Sequence, residues 1–193
     1  MRVSKYGGMV VVLSTIALAL ATSSLTLPFF RVSFSDTDVW TGYTDHVVNH
    51  EYEISWYHSD DAIGHMMHNL ELIVLVWSLL AIIFIVTVIA DYRFLSLLLG
   101  WILVVTAVNA VSYFFVVMSQ STRGITDGPI HGFMGSQVGA SGGIWLWGPS
   151  LGWWTLLLAC VIQTGMVVTR TFIVLSSIKD NPSANDWPPV PPA

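Results

Sequence analysis

The densest group of chemically capable side chains in this 193-residue sequence is the run His58-Ser59-Asp60-Asp61-Ala62-Ile63-Gly64-His65-Met66-Met67-His68-Asn69-Leu70-Glu71. With a helix starting near Asp60, the residues Asp61, His65 and His68 stand at i, i+4 and i+7 and project from one face. Neutral imidazoles with a carboxylate suit zinc or copper, and Met66 or Met67 adds a soft ligand for Cu(I). Asp45, His46, His50 and Glu51 form a second group upstream, and His131 lies in a later segment. The same residues also have a plainer reading, in which Asp60 or Asp61 caps a helix N-terminus and the histidines line a polar boundary. The plainer reading is adopted, so no resident cofactor is expected. The alternative is Zn or Cu held by Asp61, His65 and His68, joined by His46, His50 or His131. Clustered imidazoles and carboxylates would titrate between about pH 5 and 8, so pH-dependent loop packing is a further expectation.

Other chemistries find no support. Cys160 is the only cysteine, which excludes a disulfide framework and a Cys-ligated zinc module. There is no H-E-x-x-H helix, no G-x-S-x-G elbow, and no Lys behind the glycines of the kind a phosphate loop needs. A bis-histidine haem needs histidines on two spans at matching depth, and none are so placed. No enzymatic activity is expected. Seven Lys and Arg against twelve Asp and Glu give a net charge of −5, which leaves no basic face for nucleic acid.

The elements that must position these groups are membrane-spanning. Hydrophobic residues make up 54% of the chain and charged residues 10%, against about 25% charged in an ordinary soluble domain. The apolar residues gather into four blocks, at about 8–30, 70–90, 94–118 and 151–172, each near the roughly 20 residues that cross a bilayer. An Ala19-Leu20-Ala21 triplet in the first block imitates a leader cleavage site. Apolar sequence continues past it to Phe30, so the block is read as a retained span. Only Asp91-Tyr92-Arg93 separates the second and third blocks, which makes them an antiparallel transmembrane hairpin. The spans and their loops form one domain over 1–178. The Pro-rich tail, 179–193, is expected to be extended and flexible.

Arg2, Lys5, Arg93, Arg170 and Lys179 fall on one side of this four-pass arrangement, and only Arg31 and Arg123 fall on the other. Both termini are therefore expected in the cytoplasm of a cell-membrane protein. The outer loops, 31–69 and 119–150, differ in character. Phe30, Val32 and Phe34 alternate with polar residues, as do Tyr52, Ile54 and Trp56, which predicts strands of a small antiparallel sheet. Asp36 to Thr44 would supply its turn or a further short strand. The second loop contains Gly124, Gly128, Gly132, Gly135, Gly139, Gly142, Gly143 and Gly148 and is expected to be flexible or tightly turned. Trp145, Trp147, Trp153 and Trp154 are expected to form a headgroup-level aromatic belt. Asn109 and Gln163 lie at comparable depths on different spans and are expected to bond helix to helix.

In this layout the chain resembles the claudin-like tetraspan proteins. That family's W…GLW…C…C signature falls in the first outer loop, where this sequence has Trp40, Gly42 and Trp56 without Gly-Leu-Trp or cysteine. The resemblance thus implies a four-helix bundle capped by a small sheet, and none of the family's barrier or pore functions. The expected fold class is an all-α membrane protein, a four-transmembrane-helix bundle with a small antiparallel β-sheet in the first extracytoplasmic loop. The expected role is a scaffold or accessory subunit in the lipid bilayer, binding a membrane-protein partner or forming a homo-oligomer. Trp40, Tyr43, Tyr52 and Trp56 are the candidate anchors of that contact. A metal-binding or redox accessory subunit is the first alternative. A small-solute channel or transporter is the second, and it would need a polar track through the bundle.

Overall fold

The computed structural model describes residues 5–34, 38–42, 47–49, 62–125, 133–138 and 144–180. Four helices dominate: α1 (Lys5–Ser24), α2 (Ala62–Ile89), α3 (Arg93–Ile125) and α4 (Leu151–Asp180). Each is long and apolar enough to cross a membrane. The chain is a multi-pass membrane protein with an all-α bundle and an attached antiparallel sheet.

The strands are β1 (Phe30–Phe34), β2 (Asp38–Gly42), β3 (Val47–Asn49), β4 (Gly135–Val138) and β5 (Ile144–Pro149). They pair antiparallel throughout, in the order β3-β2-β1-β5-β4. The alternation at Phe30 to Phe34 forms β1 as expected, and Asp36 to Thr44 contributes β2. The Tyr52 to Trp56 alternation lies outside the described residues. The second outer loop departs from expectation, because its glycine-dense sequence holds a β-hairpin that adds two strands to the sheet. Glycine there makes room for pairing. A Cβ built on Gly135 would lie 2.5 Å from the indole of Trp147, its cross-strand partner. The missing side chain leaves room for the indole against the edge strand.

The first helix is shorter than its apolar block. After Ser24 the chain tightens, with the N–H groups of Leu25, Thr26 and Leu27 donating to the carbonyls of Thr22, Ser23 and Ser24 at 3.2, 3.1 and 3.1 Å. These are i→i−3 bonds, and Pro28 then prevents any return to a helix. The chain is extended by Phe30. At the far end of the sheet β5 runs into α4. The β1–β5 ladder continues past the strands, since Ser150 N–H donates to the Phe29 carbonyl and Gly152 N–H to the Pro28 carbonyl, both at 2.8 Å. The first and last spans thus pack along their length and are joined by a ladder where they leave the bundle.

Each helix packs on its neighbours in chain order, giving an up-down-up-down square. Buried positions step by four and three: Val10, Ser14, Ala17, Ala21 and Ser24 on α1; Leu70, Val74, Trp77, Ala81, Phe84 and Val88 on α2. The same rhythm gives Ser96, Leu103, Ala107, Ala110 and Phe114 on α3, with Gly100 in step. On α4 it gives Leu156, Cys160, Gln163, Val167, Arg170 and Val174. A 3.5-residue repeat is the spacing of a left-handed supercoiled seam. Large side chains such as Trp77 and Phe84 are interleaved with Ala, Ser and Gly, which lets the backbones approach closely.

The outward positions are equally apolar, with Leu79, Val105 and Phe172 all more than 60% exposed. In water this surface would be untenable; in a bilayer it is the lipid contact.

Candidate interaction surface

Phe29, Phe114, Phe133 and Trp153 form a chain of ring contacts where the sheet meets the bundle. Centroids lie 5.4 Å apart for Phe29–Phe114, 6.1 Å for Phe114–Phe133 and 5.2 Å for Phe133–Trp153. Trp153 Nε1 donates to the Val111 carbonyl at 3.5 Å. Trp147 and Trp153 are both buried, which corrects their assignment to an aromatic belt. They hold the sheet to the helices. Trp154 is the exposed member, stacked edgewise on Trp153 at 4.8 Å, and the side chain of Trp145 lies outside the described residues.

One transverse row of the sheet crosses all five strands: Gly135, Trp147, Val32, Trp40 and Asn49. Trp40 thereby shares its row with buried Trp147. Tyr43, Tyr52 and Trp56, the other proposed anchors, lie outside the described residues. The exposed apolar groups are instead Met134, Val138 and Leu146. Val138 and Leu146 belong to the β4–β5 hairpin, and every residue of β4 is exposed. β4 ends the sheet, and its far edge pairs with no described strand. An uncharged strand at an edge that no described strand covers can accept another strand. Sequence reasoning missed this surface because glycine density masked the hairpin. The alternation of Ile144, Leu146 and Gly148 with Trp145 and Trp147 was the available signal.

The histidine groups are only partly described. His65 and His68 lie in the first two turns of α2, one turn apart along the chain, and His68 is exposed. Asp61, His46, His50 and His131 lie outside the described residues. Among the described residues no three His, Cys, Asp or Glu side chains gather closely enough to hold a metal.

The two intramembrane amides do not meet. Gln163 is fully buried, and its Oε1 and Nε2 have no hydrogen-bond partner among the described residues. Asn109 is exposed on the outer surface of the bundle, beside a groove of about 400 Å³ lined by Leu72, Ile73, Val76, Val105 and Thr106. The hydroxyls of the spans mostly turn back onto their own helices. Thr15, Ser78, Thr106, Thr164 and Thr171 each donate to the carbonyl four residues earlier, at 2.8 to 3.0 Å. Such bonds satisfy the hydroxyl donor within its own helix.

At the opposite end of the bundle, Arg170 is buried within α4. Its Nε donates to Ser96 Oγ at 3.3 Å and its Nη2 to Asp91 Oδ1 at 3.2 Å. Arg93 approaches the same carboxylate at 3.8 Å and donates to Ser177 Oγ at 3.4 Å. This network ties α4 to the α2–α3 turn. In the sequence Arg170 registers only as one of several cations on the inner side.

Among the described residues, four helices of membrane-crossing length form a bundle, and an antiparallel ladder joins the chain just after the first to the chain just before the last. No protein-family model matches the chain, and no curated protein matches it either.

Proposed function

We propose that this protein is a non-enzymatic scaffold or accessory subunit of the cell membrane. It binds another membrane protein, or a second copy of itself, through its outer sheet, and both termini are cytoplasmic. The observation that carries the reading is the edge of β4 that no described strand covers, on a hairpin where Met134, Val138 and Leu146 are exposed. A partner strand added there would gain main-chain hydrogen bonds, and the three apolar side chains would supply the desolvated contact. The rigid bundle, locked by the aromatic junction above and the Arg170 network below, presents that edge at a fixed height over the bilayer. The likeness to claudin-like proteins is proposed for architecture alone. The lopsided distribution of Arg and Lys supports the orientation.

The test is chemical crosslinking in native membranes with mass-spectrometric readout, with native mass spectrometry in mild detergent alongside. Crosslinks from the β4–β5 hairpin to a partner or to a second copy support the reading. A protein that stays monomeric and uncrosslinked in both settings removes it.

A further inference from the structure

Asn109 is an amide in the wrong place for a lone bundle. It lies within the apolar stretch Arg93–Val116 of α3, one turn, or about 6 Å, below Tyr113. The hydroxyl of Tyr113 accepts a hydrogen bond from Asn69 Nδ2 at 3.1 Å and marks the outer polar rim. Below that rim the surface of α2 and α3 is apolar. Leu72, Val76 and Val105 are all exposed beside the groove. Thr106 is already satisfied by the Ile102 carbonyl. Asn109 makes no hydrogen bond to any described residue, and hydrocarbon supplies none.

From this we infer that the α2–α3 face is a self-association surface, in which Asn109 of one copy bonds to Asn109 of a second copy within the membrane. Three features favour that occupant. A primary amide carries both a donor and an acceptor, so two of them satisfy each other about a two-fold axis. Copies inserted with the same orientation hold Asn109 at identical depth, whereas a foreign helix would need an amide at that one level. A lipid ester carbonyl only accepts, so it would satisfy Nδ2 and leave Oδ1 bare. The groove beside the amide admits the neighbouring copy's aliphatic side chains, and no charged residue lines it. This contact lies inside the bilayer and is separate from the β4 edge, so either can fail without the other.

Cys160 is the only cysteine, so its replacement by Ala clears the background for reporters in the full-length protein. Val105→Cys places a thiol one turn from Asn109 on the proposed face, and Val161→Cys places one on the exposed side of α4. Oxidation in phosphatidylcholine vesicles should give disulfide-linked dimers at Val105 and few at Val161. Asn109→Leu, and equally Asn109→Ala, should lower the Val105 yield about tenfold, while Asn109→Gln retains most of it. Energy transfer between labelled copies, followed on lipid dilution, should shift in parallel. Equal yields at the two positions overturn the inference. An Asn109→Leu protein that melts normally and dimerises like the parent also overturns it, and assigns the groove to lipid or another protein.

Discussion

Arg170 and Asp91 meet at 3.2 Å at the end of the bundle away from the sheet, one side chain nearly sealed in protein and the other 62% exposed. Asp91 also has a φ of 56°, a left-handed conformation that Asp and Asn tolerate better than other side-chain-bearing residues. Its carboxylate and its backbone thus contribute separately. Asp91→Ala removes both and should lower stability by about 2 kcal/mol. That figure is modest for a buried arginine because water reaches the carboxylate side of the pair. Asp91→Asn keeps the turn and an acceptor oxygen and should lose less than about 1 kcal/mol. Thermal unfolding of both variants in one detergent checks the order, and equal losses would sink the separation.

Glycine positions divide cleanly by what a Cβ would strike. At Gly152 it would lie 2.8 Å from both the Leu27 carbonyl oxygen and the Phe29 ring. Gly152→Ala must therefore push α4 from the end of α1 and should cost about 1–3 kcal/mol. Gly8 and Gly165 have nothing within 4 Å. Alanine there should stabilise by up to about 1 kcal/mol through helix propensity. Melting curves of the three variants decide the matter, and a harmless Gly152→Ala would show that the first and last spans do not pack as described.

Gln163 is buried, and its amide is unpaired among the described residues. Replacement by Met keeps the volume and removes two unsatisfied polar atoms, so Gln163→Met should be neutral or stabilising by about 1 kcal/mol or more. The expectation is counterintuitive for a polar residue at the centre of a span. Loss of stability on this substitution would mean that the amide has a partner such as an ordered water.

The β4 edge can be tested without touching the core. Val138→Lys and Gln137→Lys place cations on an exposed edge strand, a device that natural sheets use to repel strand addition. The double variant should lose the crosslinks made by the hairpin and keep the parent's stability to within about 0.5 kcal/mol. Unchanged crosslinking would separate the partner contact from this edge.

Much of the architecture was legible before any coordinates. Four apolar blocks and a three-residue connection specify a four-pass bundle almost by themselves, and the alternation at Phe30, Val32 and Phe34 announces β1. The packing seam was not legible, because in a membrane the outward residues are as hydrophobic as the inward ones. Leu79 and Trp77 look alike to a periodicity argument although one faces lipid and the other the core. What marks the seam is residue size, through Ser14, Ala17, Ala21, Gly100 and Ala107. The same difficulty hid the roles of Asn109 and Gln163, since depth follows from residue counting while the face of the helix does not. The β4–β5 hairpin was obscured differently. Gly135 is required there by the Trp147 indole, its partner on the neighbouring strand, and only the register shows that the two lie opposite each other.

The ladder that joins β1 to β5 also dictates an order of assembly. Synthesis delivers β1 soon after the first span, but the strand that must lie against it comes only just before the last. Through most of translation the first sheet fragment therefore stands with one side unpaired, while α2 and α3 close as a local hairpin. Insertion of α4 is the event that seats β5, covers that side and brings Gly152 against the end of α1. A nascent chain stopped before Ile144 would hold three spans and a sheet without β5, the strand that pairs with both β1 and β4.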